Sequence, residues 1–259
     1  FIDCTFGQGG YSKEILKDKK NTVIAFDRDR DVIKYAEVLK KKFGNRFFFK
    51  NIKFQDIHKE NFKILDLKAI IFDLGLSSLQ INDHKKGISF KSNSKLNMQV
   101  GLNTISANDV INKMTYEDIY KIIKYFGEEK KSKLIAKLIV ENRLNNQLDT
   151  QGLVSLIEIA KREKIRNKTH PATKTFQAIR MFVNKEISQL IYGLINSFQI
   201  LPIGGVLVVV TFHSIEDKIV KFFFKNYSEN KNTSRYLPDN NNKKKLIFKL
   251  DKKKPIYPS

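Results

Sequence analysis

The stretch FIDCTFGQGGYS, residues 1–12, decides the fold of this chain. Its first three residues are typical of the end of a short β-strand, and its glycines predict a tight turn over residues 7–10. A helix is expected to begin at Lys13, with Ser12 as its N-cap. Because glycine lets the backbone come close to a ligand, this strand–turn–helix unit predicts a binding site at the turn.

Apolar runs and helical patterns alternate over the rest of the first 75 residues. Runs at 22–27, 47–49 and 69–73 predict three more strands, and a helix is expected from Asp31, where the apolar residues keep helical spacing. Strands that are apolar throughout are typical of a parallel sheet covered by helices on both faces. The predicted fold class is therefore α/β.

A different pattern follows the fourth strand. A loop is predicted over 81–101, and the next segments have only helical spacing. We expect helices at 116–125, 128–143, 152–164, 174–201 and 215–226, with one further strand at 206–210. The pattern predicts an all-helical insertion within a discontinuous α/β domain. The expected domains are 1–84 with 170–228, an inserted domain over 85–169, and a Lys/Asn-rich C-terminal segment over 229–259 that we expect to be truncated.

The chain of 259 residues carries 48 Lys and Arg against 27 Asp and Glu, a formal net charge of +21. Such a surplus points first to a polyanionic partner, either nucleic acid or a membrane surface. Only eight of the 48 are Arg, so AT-rich coding is an alternative explanation for part of the excess. The charge alone does not decide between them.

Several classes of protein are excluded by the composition. The single cysteine, Cys4, rules out a disulfide framework within the chain, and no Cys/His cluster has zinc-ligand spacing. Apolar stretches such as 206–210 are far shorter than the roughly 18–20 residues that span a bilayer. The chain does not open with the pattern of a signal peptide. We expect a cytoplasmic protein with no membrane contact, as a monomer or a homodimer.

Acidic residues end two of the predicted strands. Asp27 follows Gly7 by twenty residues, and a carboxylate there can accept hydrogen bonds from two ribose hydroxyls, while Asp73 ends the fourth strand. A dinucleotide and S-adenosylmethionine both fit a glycine turn with a ribose-binding acid. The dinucleotide fingerprint has a third glycine where this chain has Ser12, and Asp3 suits the amino group of a methionine moiety. The pattern favours S-adenosylmethionine, with a nicotinamide-dependent oxidoreductase as the alternative.

Five segments resemble the ribosomal RNA small subunit methyltransferase H (MraW) family. They are DCTFGQGGYS (3–12), FDRD (26–29), FDLGLSSLQ (72–80), HPATKTFQAIR (170–180) and FHSIED (212–217). The resemblance implies a Rossmann-like S-adenosylmethionine-dependent methyltransferase with an inserted all-helical domain that recognises the substrate. It also implies the reaction, methylation of the N4 amine of a cytidine in the decoding region (P site) of 16S rRNA in the small ribosomal subunit.

The resemblance assigns cofactor contacts to positions of this chain. Together with the turn itself, the set is Asp3, Gly7, Gly9, Gly10, Tyr11, Asp27, Phe54, Asp73 and Gln80. The chain departs from the family pattern where it has Tyr11 for His, Leu79 for Pro, and LNMQV at 96–100 for LDMRM. These departures keep open a non-catalytic alternative, a cofactor-binding ribosome assembly factor.

The segment after the fourth strand is the candidate catalytic centre. The Asn/Asp-Pro-Pro-aromatic motif of many amino-methyltransferases is absent, and DLGLSS (73–78) stands in its place. Asp73, or a backbone carbonyl beside it, is expected to accept a hydrogen bond from N4, with Ser77 and Ser78 near the base. The alternative is that Asp73 contacts only the cofactor and the serines cap a turn.

Contacts to RNA are expected from the later segments. His170 is a candidate for the base or a phosphate and for the catalytic set, although a histidine before proline is often a loop-packing residue. The other candidates for the substrate RNA are Thr173, Lys174, Arg180 and His213. Lysines that could bind phosphates, or form only a solvated face, are Lys130, Lys131, Lys133, 243–245 and 252–254.

Overall fold

A computed structural model describes residues 1–60, 66–83, 86–90, 95–101, 103–161, 170–228, 248–250 and 255–256 of the chain. It divides into two compact units, Phe1–Val210 and Thr211–Ser259. The first unit holds the whole sheet and all but one of the described α-helices. No described helix is long and apolar enough to cross a bilayer.

Five parallel strands form the sheet of the first unit. They are β1 Ile2–Asp3, β2 Val23–Phe26, β3 Phe47–Lys50, β4 Ala69–Asp73 and β5 Val206–Val210, in the spatial order β3-β2-β1-β4-β5. In the register, Asp3 lies opposite Ala25 on one side and Ile71 on the other. The carboxyl ends of the strands therefore meet at one edge of the sheet, and the predicted parallel α/β fold is confirmed.

The sheet is most deeply buried at β1, β2 and β4, whereas Val206 and Val208 of β5 are 54% and 40% exposed. Helices α1 Gly10–Ile15 and α2 Ile33–Phe43 belong to the β1–β3 half, where a buried cluster joins Leu16, Ala36 and Leu39 to the strand residue Phe47. In β4, Ile70 and Phe72 on one face are fully buried, and Ala69 and Ile71 on the other face are each 8% exposed, as expected for a strand packed on both faces. Burial of this apolar surface supplies the main stabilising free energy of the sheet.

Helices alone connect β4 to β5 in the described parts of this region. They are α3 Ser78–Asn82, α4 Ala107–Lys113, α5 Tyr116–Gly127, α6 Ser132–Asn142, α7 Thr150–Lys161, α8 Thr173–Val183 and α9 Glu186–Ile200. Helices α4 to α8 share one apolar core, which includes Ile111, Ile123, Ile135, Ile157 and Ile179. The predicted helical insertion is thus present. Helix α8 contributes to the helical core, and the domain boundary at 169/170 stays a prediction.

Three local predictions were wrong. Helix α1 begins at Gly10 with Gly9 as its N-cap, so Ser12 lies inside the helix, and its hydroxyl donates to Asp3 instead of capping. Helix α4 falls in a region with no predicted helix, and a capping box of Ser106 and Asp109 begins it. The long helix predicted over 174–201 is two helices, α8 and α9, which separate at residues 184–185.

The break between α8 and α9 is held by a buried asparagine. The side-chain oxygen of Asn184 accepts hydrogen bonds from the Val100 N–H and the Asn103 amide, both at 2.8 Å. Its amide nitrogen donates to the carbonyls of Met98 (2.8 Å) and Arg180 (2.9 Å). Asn184 therefore ties the segment around 98–103 to the end of α8.

The same residue reaches the end of β2. The Arg28 guanidinium donates to the Asn184 carbonyl at 2.7 Å. A Cβ at Gly101, where φ is +66°, would lie 1.9 Å from the Arg28 carbonyl oxygen, so only glycine fits this contact. The helical insertion is thereby fastened to the carboxyl edge of the sheet.

The second unit contains α10 Ser214–Ser228. Phe248 packs its ring against Phe223 and Phe224, with centroid separations of 5.9 and 5.6 Å. The Phe248 N–H donates to the Tyr227 carbonyl at 3.1 Å. These aromatic contacts hold residue 248 against the C-terminal half of α10.

Replacing Asn184 with Ala is expected to lower the free energy of unfolding by about 3 kcal/mol, because several buried backbone groups lose their only side-chain partner. Urea denaturation followed by circular dichroism measures the change. Asn142→Ala is the control, since that amide donates only to the Leu138 carbonyl on an exposed surface of α6, and its loss should cost less than about 1 kcal/mol. Equal losses for the two variants would contradict the assigned role of Asn184.

Candidate active site

The glycine turn after β1 has one crowded side and one open side. Gly7 and Gly9 adopt left-handed φ values of +52° and +77°. A Cβ at Gly9 would lie 2.7 Å from the Phe6 ring, whereas nothing lies within 4 Å of the Cβ position of Gly10. The turn therefore needs glycine at position 9 for its own packing and leaves the backbone at Gly10 open to a ligand.

The buried Asp3 carboxylate stabilises this turn through hydrogen bonds. It is 0% exposed, and it accepts hydrogen bonds from the Thr5 N–H (3.2 Å) and the Ser12 hydroxyl (2.7 Å). Burial raises the pKa of Asp3 to about 6, although the two hydrogen bonds act to lower it. Both oxygens are bonded within the turn, so the structure assigns Asp3 a positioning role, and its predicted contact with a methionine amino group stays a prediction.

Asp27 joins the end of β2 to the same turn. Its two carboxylate oxygens accept hydrogen bonds from the Gly7 N–H and the Asp29 N–H, both at 2.8 Å. Burial raises the pKa of Asp27, although these two hydrogen bonds act to lower it. Each oxygen keeps a further lone pair, so the carboxylate is fixed in place while it can still accept from ligand hydroxyls.

Asp73 differs from the other two carboxylates. Its backbone N–H donates to the Thr5 hydroxyl at 2.7 Å, which positions the end of β4 beside the turn. Its Oδ1 is buried and has no hydrogen-bond partner among the described residues. Burial raises the pKa of Asp73. Burial raises the pKa of the Tyr11 hydroxyl, and the nearby charges of Asp73 and Asp3 raise it further.

A network that the sequence analysis missed fixes the loop after β4. Asp29, buried two residues beyond Asp27, accepts hydrogen bonds from the Gln80 side chain (2.8 Å) and from Lys86 (2.9 Å). Lys86 also pairs with Asp31 at 2.6 Å. The hydrogen bonds from Gln80 and Lys86 outweigh burial and lower the pKa of Asp29. The sequence Asp-Arg-Asp at 27–29 shows a second acid beside Asp27, but the partners of Asp29 lie more than fifty residues further along the chain.

Gln80 and Ser77 begin helix α3. The Ser77 hydroxyl accepts from the Gln80 N–H (3.3 Å), and the Gln80 side-chain oxygen accepts from the Ser77 N–H (3.1 Å), a capping box. Ser77 therefore caps the start of a helix, which agrees with the alternative in which the serines are capping residues. The Ser78 side chain lies outside the described part of the chain. Gln80 is buried and bonded to Asp29, so its predicted cofactor contact stays a prediction.

Two aromatic residues, Phe54 and Tyr11, are among the predicted cofactor contacts. Phe54 is half-buried and packs edge-on against Phe72, with ring centroids 5.2 Å apart. A Cβ at Gly193 would come within 2.7 Å of the Phe54 ring, so α9 holds the ring from the other side. Tyr11 is 39% exposed. Both rings remain predicted cofactor contacts.

Two of the predicted RNA contacts form specific interactions with protein side chains. The His170 ring stacks on Phe90 at 4.2 Å, and its Nδ1 accepts from the Ala172 N–H, which is the loop-packing arrangement. Arg180 forms a bidentate ion pair with Glu186 at 2.9 and 2.8 Å. Their roles with RNA stay predictions.

The remaining RNA candidates are placed as follows. Thr173 is the first residue of α8, and the exposed Lys174 donates to the Glu128 carbonyl at 3.5 Å. In the second unit, His213 Nε2 lies 3.1 Å from a Glu216 carboxylate oxygen. Lys130, Lys131 and Lys133 are exposed. The lysine runs 243–245 and 252–254 lie outside the described residues.

The segment 96–100 alternates in burial. Leu96 and Met98 are buried in the helical core and Val100 is also buried, while the Asn97 side chain accepts from the Gln99 N–H at 3.3 Å. The Gln99 amide donates to the Asn103 carbonyl, also at 3.3 Å. The two departures from the family pattern thus form local bonds within their own loop and leave the glycine turn intact.

Comparisons with known proteins agree with this arrangement. A model of the MraW methylase family matches residues 1–259. Ribosomal RNA small subunit methyltransferase H of Rickettsia massiliae (strain Mtu5) is 42% identical over 229 residues, 88% of this chain and 74% of the relative. The proteins of the same name from Rhizobium meliloti (strain 1021) and Agrobacterium fabrum (strain C58 / ATCC 33970) are 39% and 40% identical over 238 residues, 92% of this chain and 69% of each relative. The chain belongs to the MraW methylase family.

Proposed function

We propose that this chain transfers a methyl group from S-adenosylmethionine to the N4 amine of a cytidine in the decoding region (P site) of 16S rRNA, within the small ribosomal subunit in the cytoplasm. Family membership and the names of the relatives support rRNA methylation and argue against the oxidoreductase alternative. The observation that carries the proposal is the buried Asp73 oxygen with no partner among the described residues, beside the open glycine turn. In this proposal residues 85–169 recognise the substrate.

The residues at the sheet edge fit the cofactor. Asp27, held by the backbone N–H groups of Gly7 and Asp29, would accept hydrogen bonds from the ribose hydroxyls. Gly9 and Gly10 would let the backbone approach the methionine part, and Phe54 would pack on the adenine. Three carboxylates, Asp3, Asp27 and Asp73, end adjacent strands, a surrounding that suits a cationic sulfonium better than a pyrophosphate.

Methyl transfer to cytosine N4 requires a hydrogen-bond acceptor beside the nucleophilic nitrogen. The cofactor supplies an electrophilic methyl carbon bound to a positively charged sulfur. The lone pair of cytosine N4 is delocalised into the ring, so Asp73 Oδ1 would accept a hydrogen bond from the amine and localise that pair on nitrogen. The carboxylate would also stabilise the positive charge that develops on N4 as the N–C bond forms and the C–S bond breaks. Its raised pKa makes it a better acceptor for the proton that N4 then loses.

The direct test uses this chain, tritiated S-adenosylmethionine and small ribosomal subunits from a strain that lacks the methylation. We expect label on N4 of one decoding-region cytidine, located by nuclease mapping and mass spectrometry. Subunits that already carry the methyl group are the control and should take up none. Binding of the cofactor without any transfer would overturn the proposal and favour the assembly factor.

Replacing Asp73 with Asn should lower the single-turnover rate of methyl transfer by about 10² to 10³-fold, because the amide is a weaker acceptor. The wild-type rate should fall as the pH drops through the raised pKa of Asp73, while the variant should lose this dependence. Cofactor affinity, measured by calorimetry, should fall much less than the transfer rate, because Asp3 and Asp27 keep their charge near the sulfonium. A variant that loses affinity but transfers normally at saturating cofactor would instead show that Asp73 contacts only the cofactor.

Asp27→Asn should weaken the binding of S-adenosylmethionine by about tenfold or more, since charge-assisted hydrogen bonds to the ribose become neutral ones. Isothermal titration calorimetry measures the dissociation constant. The matched control is Asp66→Asn, because that carboxylate is exposed and pairs only with Lys68 among the described residues. If both variants bind the cofactor as tightly as the wild-type chain, Asp27 does not hold the ribose.

A further inference from the structure

An exposed face of the helical insertion combines tyrosine rings with lysine ammonium groups. Tyr116, Tyr120 and Lys124 follow one another at four-residue intervals along α5, so they share one side of that helix. Tyr125 lies beside them, and Lys133 reaches the same place from α6. We call these five residues the tyrosine–lysine face. Nothing in the proposed methyl-transfer chemistry uses it.

The rings and the ammonium groups are arranged around Tyr120. The Tyr116 and Tyr120 rings are nearly parallel, with an interplanar angle of 11° and centroids 6.3 Å apart. Lys124 Nζ lies 5.3 Å from the Tyr120 centroid and 5.2 Å from that of Tyr125, and it donates to the Tyr120 hydroxyl at 2.8 Å. Lys133 Nζ lies 5.8 Å from the Tyr120 centroid. The contacts hold both cations beside aromatic surface.

The packing of α5 directs this face outward. The neighbouring side of the helix is buried in the helical core, where Ile119 and Ile123 are fully buried and against which Tyr120 packs partly buried. On the outer side, Tyr116 is 38% exposed and Tyr125 is 62% exposed. Exposed tyrosines in parallel and adjacent positions offer flat surface to a ligand with flat groups of its own.

The two ammonium groups of the face have no carboxylate in direct contact among the described residues. Neither Lys124 nor Lys133 forms a salt bridge with any carboxylate that the structure describes, whereas their neighbours Lys121 and Lys137 pair with glutamates on the same helices. A partner that brings negative charge to these two ammonium groups would complete the electrostatics of the face.

We propose that the tyrosine–lysine face binds a single-stranded segment of RNA, with bases stacked on the tyrosine rings and phosphates bound by Lys124 and Lys133. Aromatic rings beside uncompensated cations suit this ligand, because every base has a flat π surface and every nucleotide carries a phosphate. An acidic protein would use the lysines but not the flat rings, and a surface of anionic phospholipid is the alternative that the test below separates from RNA. The proposal rests on the proposed function, since it names a second contact with the same rRNA.

Two double variants of this chain test the face, with a short fluorescein-labelled single-stranded RNA of mixed sequence as the probe. Fluorescence anisotropy gives the affinity over a series of salt concentrations. Lys124→Gln with Lys133→Gln should weaken binding about tenfold and reduce the slope of log K against log salt by about 1.4, or about 0.7 per lost phosphate contact. Tyr116→Ala with Tyr125→Ala should also weaken binding about tenfold or more, but it should leave the slope unchanged.

Matched controls separate the face from general surface effects. Lys19→Gln with Lys41→Gln removes the same charge from exposed positions of the sheet part, and Tyr192→Ala removes an exposed tyrosine from α9. Both controls should bind the RNA nearly as well as the wild-type chain. All variants should keep the wild-type midpoint of thermal unfolding, because the substituted side chains are exposed.

The outcomes distinguish this proposal from the proposed reaction. RNA affinity that is indifferent to all four substitutions overturns the face, whether or not the chain transfers methyl groups. Affinity that depends on the face in a wild-type chain that transfers nothing supports the face and overturns the reaction. If the double variants lose affinity only for vesicles of anionic phospholipid, the face is a membrane surface and the proposal is wrong.

Discussion

Three carboxylates at one edge of a parallel sheet set the main constraint on this structure. Asp3, Asp27 and Asp73 end adjacent strands, and burial raises the pKa of each, so each costs free energy to ionise unless it finds a partner. The glycine turn satisfies two of them, through backbone N–H groups and the Ser12 hydroxyl. Of these three carboxylates, only that of Asp73 keeps a buried oxygen with no hydrogen-bond partner among the described residues. The backbone of the turn therefore satisfies Asp3 and Asp27 and leaves one acceptor, Asp73, for chemistry.

The position of that acceptor relative to the helical insertion depends on Asn184. Its side chain binds the segment near residue 100, and its carbonyl binds Arg28 at the end of β2. The apolar periodicity over 174–201 predicted one continuous helix, because a break that uses a left-handed Lys185 leaves no mark in the spacing of apolar residues. Only the tertiary hydrogen bonds of Asn184 show why the chain turns there.

Local pattern was sufficient for the strands, the turn and the acids that end the strands, because those features depend on neighbouring residues. It was insufficient for Asp29, whose partners Gln80 and Lys86 lie more than fifty residues along the chain. It leaves open the roles of residues that the family resemblance assigns to RNA. His170 and Arg180 have the right chemistry for RNA, yet the structure satisfies them with Phe90 and Glu186. Sequence identifies a side chain that could bind RNA, and packing decides whether it is free to do so.

The separation of charge within this basic chain follows from the two ligands proposed for it. A sulfonium cofactor is cationic and an RNA is anionic, so one surface cannot serve both well. The chain has a net charge of +21, yet acids crowd the carboxyl edge of the sheet, while the lysines at Tyr120 lie on the helical insertion. If basic residues lined the turn instead, they would repel the sulfonium and oppose the positive charge that develops on N4. Placing the phosphate contacts on a separate set of helices lets the chain attract RNA without that penalty.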